Sequence, residues 1–192
     1  MEEKQGLPIV SFESARGWEG WLNEHHHSSK GAWVKIARKN ARVPSVNYDE
    51  LVEAALCYGW IDSQAGSYDE SYWLQRFTPR GPRSKWSKVN RAKVAELIES
   101  GRMQPAGMAA VELAKSSGAW EQAYDSPSSA TVPDDLRAAL DANPEAAAFF
   151  ETLTSSNRYA ILHRVHDAKR PETRARRIVK FVDMLSRGEK LF

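Results

Sequence analysis

The sequence predicts an α+β fold, with a small N-terminal sheet and its helices followed by an all-helical C-terminal half. Three observations carry this. Short apolar runs bounded by turn residues are confined to the stretch from Leu7 to Pro79. Beyond Pro79 the apolar residues recur at helical spacing. The two patterns are segregated along the chain rather than alternating, which argues against a βαβ design.

Pro8 to Phe12 reads as a strand. Ser14 opens a helix in which Trp18, Trp21 and Leu22 fall at i, i+3 and i+4, and His25–Ser28 with Gly31 ends it, where imidazoles suit the negative end of a helix. Ala32 to Arg38 reads as a second strand. Asn47, with Glu50 three residues later, forms a capping-box pattern that opens a helix running to Tyr58 and stopped by Gly59. Trp60–Ser63 and Tyr72–Thr78 read as a strand pair joined by the polar stretch Gln64–Glu70 and ended by Pro79 and Pro82. Six helices should follow. The first carries Val89, Val94, Leu97 and Ile98 and stops at Gly101. The others open near Pro105, Pro133, Pro144, Ser156 and Pro171, the last ending at Gly188. The Ser- and Pro-rich stretch from Tyr124 to Thr131 reads as a linker, giving domains over residues 7–123 and 132–190.

With 192 residues, 42% hydrophobic and 27% charged, the chain has the composition of an ordinary globular protein. A net charge of +2 does not by itself argue for nucleic acid. The single cysteine, Cys57, excludes an intrachain disulfide and fits a cytoplasmic setting. The first residues lack a basic and apolar leader, and no apolar run approaches a bilayer's thickness, so no membrane insertion is expected. Nothing in the sequence sets an oligomeric state.

Cations gather in two blocks. Arg76, Arg80, Arg83, Lys85, Lys88, Arg91 and Lys93 lie where a strand gives way to a helix. Lys169, Arg170, Arg174, Arg176, Arg177 and Lys180 lie at the start of the last helix. Helix starts attract anions through free N–H groups and the dipole. On the last helix, the stripe Ile178, Phe181, Val182 and Leu185 projects back onto Arg174, which should therefore face the core and need a carboxylate or an anionic ligand. Asp62 is one candidate partner. Asp62 and Trp60 should share one face of their strand, with Arg76 opposite on the paired strand.

These residues define a candidate ligand cleft of Trp60, Asp62, Arg76, Arg80, Ser84, Trp86, Asn90, Arg102, Lys169 and Arg174. Arg76, Arg80 and Arg174 would supply charge, Ser84 and Asn90 hydrogen bonds, and Trp60 and Trp86 stacking surface. Three readings stay open: an anionic or phosphate-bearing small molecule, nucleic acid on the same basic blocks, and an enzyme with Asp62 as base. No cofactor or metal is expected. Adjacent His25, His26 and His27 cannot all face one ion from a helix, and His163 with His166 lacks a third ligand. Cys57 sits on an apolar helix and reads as an inert core thiol.

Several segments together resemble a known family. They are Cys57-Tyr58-Gly59-Trp60-Ile61-Asp62-Ser63, Gln75-Arg76-Phe77-Thr78-Pro79-Arg80, Ser84-Lys85-Trp86-Ser87-Lys88-Val89-Asn90, Gly101-Arg102-Met103 with Ala106-Gly107, and Ala168 to Ile178. In this order they resemble the YdeI/OmpD-associated family, whose members are often labelled bacteriocin-protection proteins, over about residues 10 to 190. The resemblance implies a bacterial, mostly cytosolic protein with no established catalytic activity and a stress-tolerance role. The residues 7–123 would form its core, with 132–190 as its OmpD-associated C-terminal domain.

Overall fold

The structure, a computed structural model, describes residues 2–192. The chain divides into two compact units, Met1–Ala123 and Tyr124–Phe192.

The first unit holds a five-stranded sheet and four helices. In chain order these are β1 (Glu3–Lys4), β2 (Leu7–Ser11), α1 (Ala15–His25), β3 (Ala32–Ala37), α2 (Tyr48–Cys57), β4 (Trp60–Ser67), β5 (Tyr72–Pro79), α3 (Lys88–Glu99) and α4 (Pro105–Ser116). The strand order is β1-β2-β3-β5-β4. β2 and β3 run parallel, joined over α1, and the other neighbours are antiparallel. Register fixes the faces. Val34 opposite Gln75, Ile36 opposite Trp73 and Asp62 opposite Phe77 share one side, and Trp33 opposite Arg76 takes the other. The first side meets all four helices in one core, with Trp18, Leu22, Leu51, Leu56, Trp60, Phe77, Trp86, Val94 and Val111 buried together. Among the described residues, the apolar content of the second side is the small cluster Leu7, Trp33 and Leu74, flanked by Ile9 and Tyr68.

Two strands differ from the sequence reading. β1 is unexpected: Gln5 and Gly6, both at positive φ, make a tight hairpin turn, and glutamine rarely signals one. β4 runs on to Ser67 instead of stopping at Ser63, because a bulge between Asp62 and Ala65 absorbs an extra residue. As an edge strand β4 tolerates exposed polar residues there, which hid it as loop.

Helix ends follow local chemistry. Asn47 accepts from the Glu50 N–H at 3.0 Å while the Glu50 carboxylate accepts from the Asn47 N–H at 3.1 Å, closing the capping box of α2. α2 then stops at Gly59, whose φ of +72° a side chain would resist. α4 packs so closely on the end of α2 that a Cβ on Gly107 would lie 2.2 Å from the Cys57 carbonyl oxygen.

The second unit is helical throughout: α5 (Asp134–Asp141), α6 (Pro144–Thr152), α7 (Ser155–His166) and α8 (Pro171–Ser186). They enclose a separate core of Leu136, Leu140, Phe150, Ile161, Leu162, Val165, Ile178, Phe181 and Leu185. The chain end is tied back to α7, where Asn157 donates to the Phe192 carbonyl at 2.9 Å.

Candidate functional site

The basic crossover between β5 and α3 is built around two indoles. Trp86 is 3% exposed and meets Trp120 edge-on, with ring centroids 4.9 Å apart. The Arg80 guanidinium lies 3.5 Å over the Trp86 ring and donates to the Lys85 carbonyl at 3.0 Å. The Arg91 guanidinium lies 5.0 Å over the Trp120 ring and donates to its carbonyl at 2.8 Å. Two cations thus lie over an aromatic pair, each held by a ring and a carbonyl. Ser84 closes the turn before α3, accepting from the Gly81 N–H at 2.9 Å. Ser87 caps the helix by accepting from the Asn90 N–H at 3.1 Å. From Ser71 to Ala95 the chain carries seven cations and no carboxylate. The hollow beside Arg80, Ser84 and Trp86 has a volume of about 20 Å³, room for one water molecule. The crossover is therefore a charged surface rather than a pocket.

The other expected site residues lie elsewhere. Trp60 is 1% exposed, in the core, with its indole N–H directed to the His26 carbonyl at 3.3 Å. The rings of Trp60 and Trp86 are packed by protein and offer no stacking platform, contrary to the sequence reading. Asp62 accepts a hydrogen bond from the Tyr48 hydroxyl at 2.6 Å. It stands opposite Phe77, not Arg76, and Arg76 projects from the other face of the sheet, one position out of register with it. Arg102 bridges Glu53 and Glu19, both at 3.1 Å, and Glu53 also takes Lys93 at 3.3 Å. Its charge is spent within the unit.

In the second unit, Lys169 is exposed just before α8. Arg174 is partly buried and bonded through all three of its nitrogens. Its Nε and Nη2 donate to the two Asp135 oxygens at 2.5 and 2.9 Å, and its Nη1 donates to the Val165 carbonyl at 2.9 Å. The guanidinium holds the Asp135 carboxyl below its usual range. The ion pair expected for Arg174 is present, but its partner is Asp135 rather than Asp62. Asp135 lies in the first turn of α5, where the positive end of the helix favours a carboxylate.

The same unit contains a cavity of about 140 Å³ that sequence reasoning missed, with Tyr124, Thr131, Tyr159, His163, His166 and Arg174 among its lining residues. His163 packs against Tyr124 and Tyr159, at centroid distances of 5.2 and 5.7 Å, and the Tyr159 hydroxyl donates to the Asp125 carbonyl at 2.8 Å. The spacing of His163 and His166 and the inward projection of Arg174 were the signals in the sequence. Tyr124, in a segment read as linker, gave none. Cys57 is buried, and burial pushes its thiol up to about 11. No helix among the described residues is long and apolar enough to cross a membrane.

Comparison with known families separates the two units. Residues 129–188 match the model described as bacteriocin-protection, YdeI or OmpD-associated. Residues 10–110, which hold most of the segments that suggested that family, match a different model, a domain of unknown function (DUF8412). No curated protein and no solved structure matches. The chain belongs to the DUF8412 family, by a match over more than half its length, and carries a YdeI/OmpD-associated domain in its C-terminal unit.

Proposed function

We propose that the protein is a binding module that recognises a small phosphate-bearing anion at the crossover between β5 and α3. The observation that carries this is the run of five cations without a carboxylate, Arg80, Arg83, Lys85, Lys88 and Arg91, at the start of a twelve-residue helix. Arg80 and Arg91 are held on their indoles before any ligand arrives, so little side-chain freedom is lost on binding. The exposed Arg83 and Lys85 add charge at the rim, and the start of α3 adds its dipole. Ser84 and Asn90 supply hydrogen-bonding groups at the same place. Arg76, Arg102, Lys169 and Arg174 are not part of this surface.

Nucleic acid is the competing ligand for the same charges. With Trp60 and Trp86 buried, the two indoles expected to stack on bases are withdrawn, which favours a ligand held by its phosphates. Thermal-shift measurements with pyrophosphate, a nucleoside triphosphate and a short oligonucleotide at two salt concentrations test the proposal. Stabilisation by the small phosphates, lost when Arg83 and Lys85 are both changed to Gln, supports it. Stabilisation by the oligonucleotide alone, fading steeply with salt, replaces it with nucleic-acid binding. No stabilisation by any of them overturns both readings.

A further inference from the structure

The face of the sheet that lacks helices carries two buried donors that meet no acceptor among the described residues. Trp33 is 2% exposed, and its indole N–H is buried with no hydrogen-bond partner among the described residues. The residue directly opposite it on β5 is Arg76, and its Nε–H is likewise buried and unmet among the described residues. Antiparallel partners have side chains standing side by side on one face, so the two side chains are neighbours. A third donor group, the second cation, lies nearby, since the Lys4 ammonium is 4.7 Å over the Trp33 ring. Among the described residues neither Lys4 nor Arg76 has a carboxylate partner. The acid on this face, Glu2, is taken by Lys35 at 3.4 Å and by Tyr68 at 2.7 Å.

Buried N–H groups without acceptors are rare, because each forfeits the hydrogen bond it had in water. Three donor-only groups, two of them cationic, share one feature: each is satisfied by a negatively charged oxygen. A hydroxyl or amide would meet the hydrogen bonds but leave the charges uncompensated. We infer that Trp33, Arg76 and Lys4 form an oxyanion site on the open face of the sheet, which takes one oxygen of a small carboxylate or phosphate. It is separate from the basic crossover and does not rest on that reading. Lys4 lies over the ring and Arg76 is a long chain, so the oxygen enters by a rotamer change of these two side chains. The sheet itself need not move. The indole N–H gives direction and the two cations give affinity.

The indole N–H resonances of the full chain provide the test, because each tryptophan reports its own surroundings. The Trp33 signal is assigned from its loss in Trp33→Phe. Titration with inorganic phosphate, and separately with acetate, is expected to move the Trp33 signal to a saturating position. In Arg76→Gln the affinity read from that shift should fall about tenfold, the worth of one charge-assisted hydrogen bond. Lys4→Gln should fall likewise. Response to phosphate alone assigns the site to phosphates, and response to acetate as well assigns it to oxyanions generally. Changing Arg83 and Lys85 to Gln should leave the Trp33 response intact, so failure at the crossover and failure here are distinguishable. An unmoved Trp33 signal with either anion, or a shift equally strong in Arg76→Gln and Lys4→Gln, overturns the inference. Since the side chains of Arg76 and Lys4 make no hydrogen bond or ion pair among the described residues, both variants should fold.

Discussion

Arg174 illustrates how a side chain that looks functional in sequence serves the fold. Its three hydrogen bonds tie the start of α8 to α5 and to the end of α7. Asp135 and Arg174 are both partly exposed, so screening reduces the ion pair, and Arg174→Ala is expected to cost about 1 kcal/mol, mostly through the lost geometry. The pair also predicts a pH dependence. Asp135 is held below its ordinary value of 3.8 when folded. Its contribution is therefore complete above that value and lost as pH falls through the depressed one. The difference in melting temperature between the native protein and Asp135→Asn should be constant near neutrality and shrink below about pH 4. A difference that persists unchanged in acid contradicts the pairing. Cys57 gives a second check at this scale. With its thiol raised to about 11 by burial, it should react with a thiol reagent only as fast as the protein unfolds.

At the scale of elements, local signals did most of the work. The Asn47–Glu50 box was legible because its two reciprocal bonds need only residues three apart, and Asn47→Ala should cost about 1 kcal/mol in chemical denaturation. The proline-opened helices were legible for the same reason. What was not legible is whatever depends on another strand. The bulge in β4 and the Gln5–Gly6 hairpin are set by pairing, and sequence read one segment at a time carries no register. That is why Asp62 and Arg76 were placed face to face and prove to lie on opposite sides of the sheet. The contact between α2 and α4 also escapes the sequence, because Gly107 reads only as a weak helix former. Gly107→Ala should drive its methyl into the Cys57 carbonyl and cost about 3 kcal/mol, measurable as a lowered denaturation midpoint.

For the whole molecule, the two cores share no residue, since one is built entirely before Tyr124 and the other entirely after it. Residues 124–192 expressed alone should therefore unfold cooperatively with a helical spectrum, and a non-cooperative melt would contradict this. The candidate site was only partly legible on this scale. The positive charge of the crossover could be counted directly. The burial of Trp60 and Trp86, and the engagement of Arg102 by Glu19 and Glu53, required the fold. What survives is a surface where Arg80 lies over Trp86 and Arg91 over Trp120, in a stretch of sequence without carboxylates. The measurement that tests it most directly is calorimetric titration of the full chain with pyrophosphate, alongside the variant with Arg83 and Lys85 changed to Gln. Saturable binding that weakens at least about tenfold in the variant is the expected result. Absence of binding, or binding of equal strength in both proteins, would contradict an anion site at the crossover.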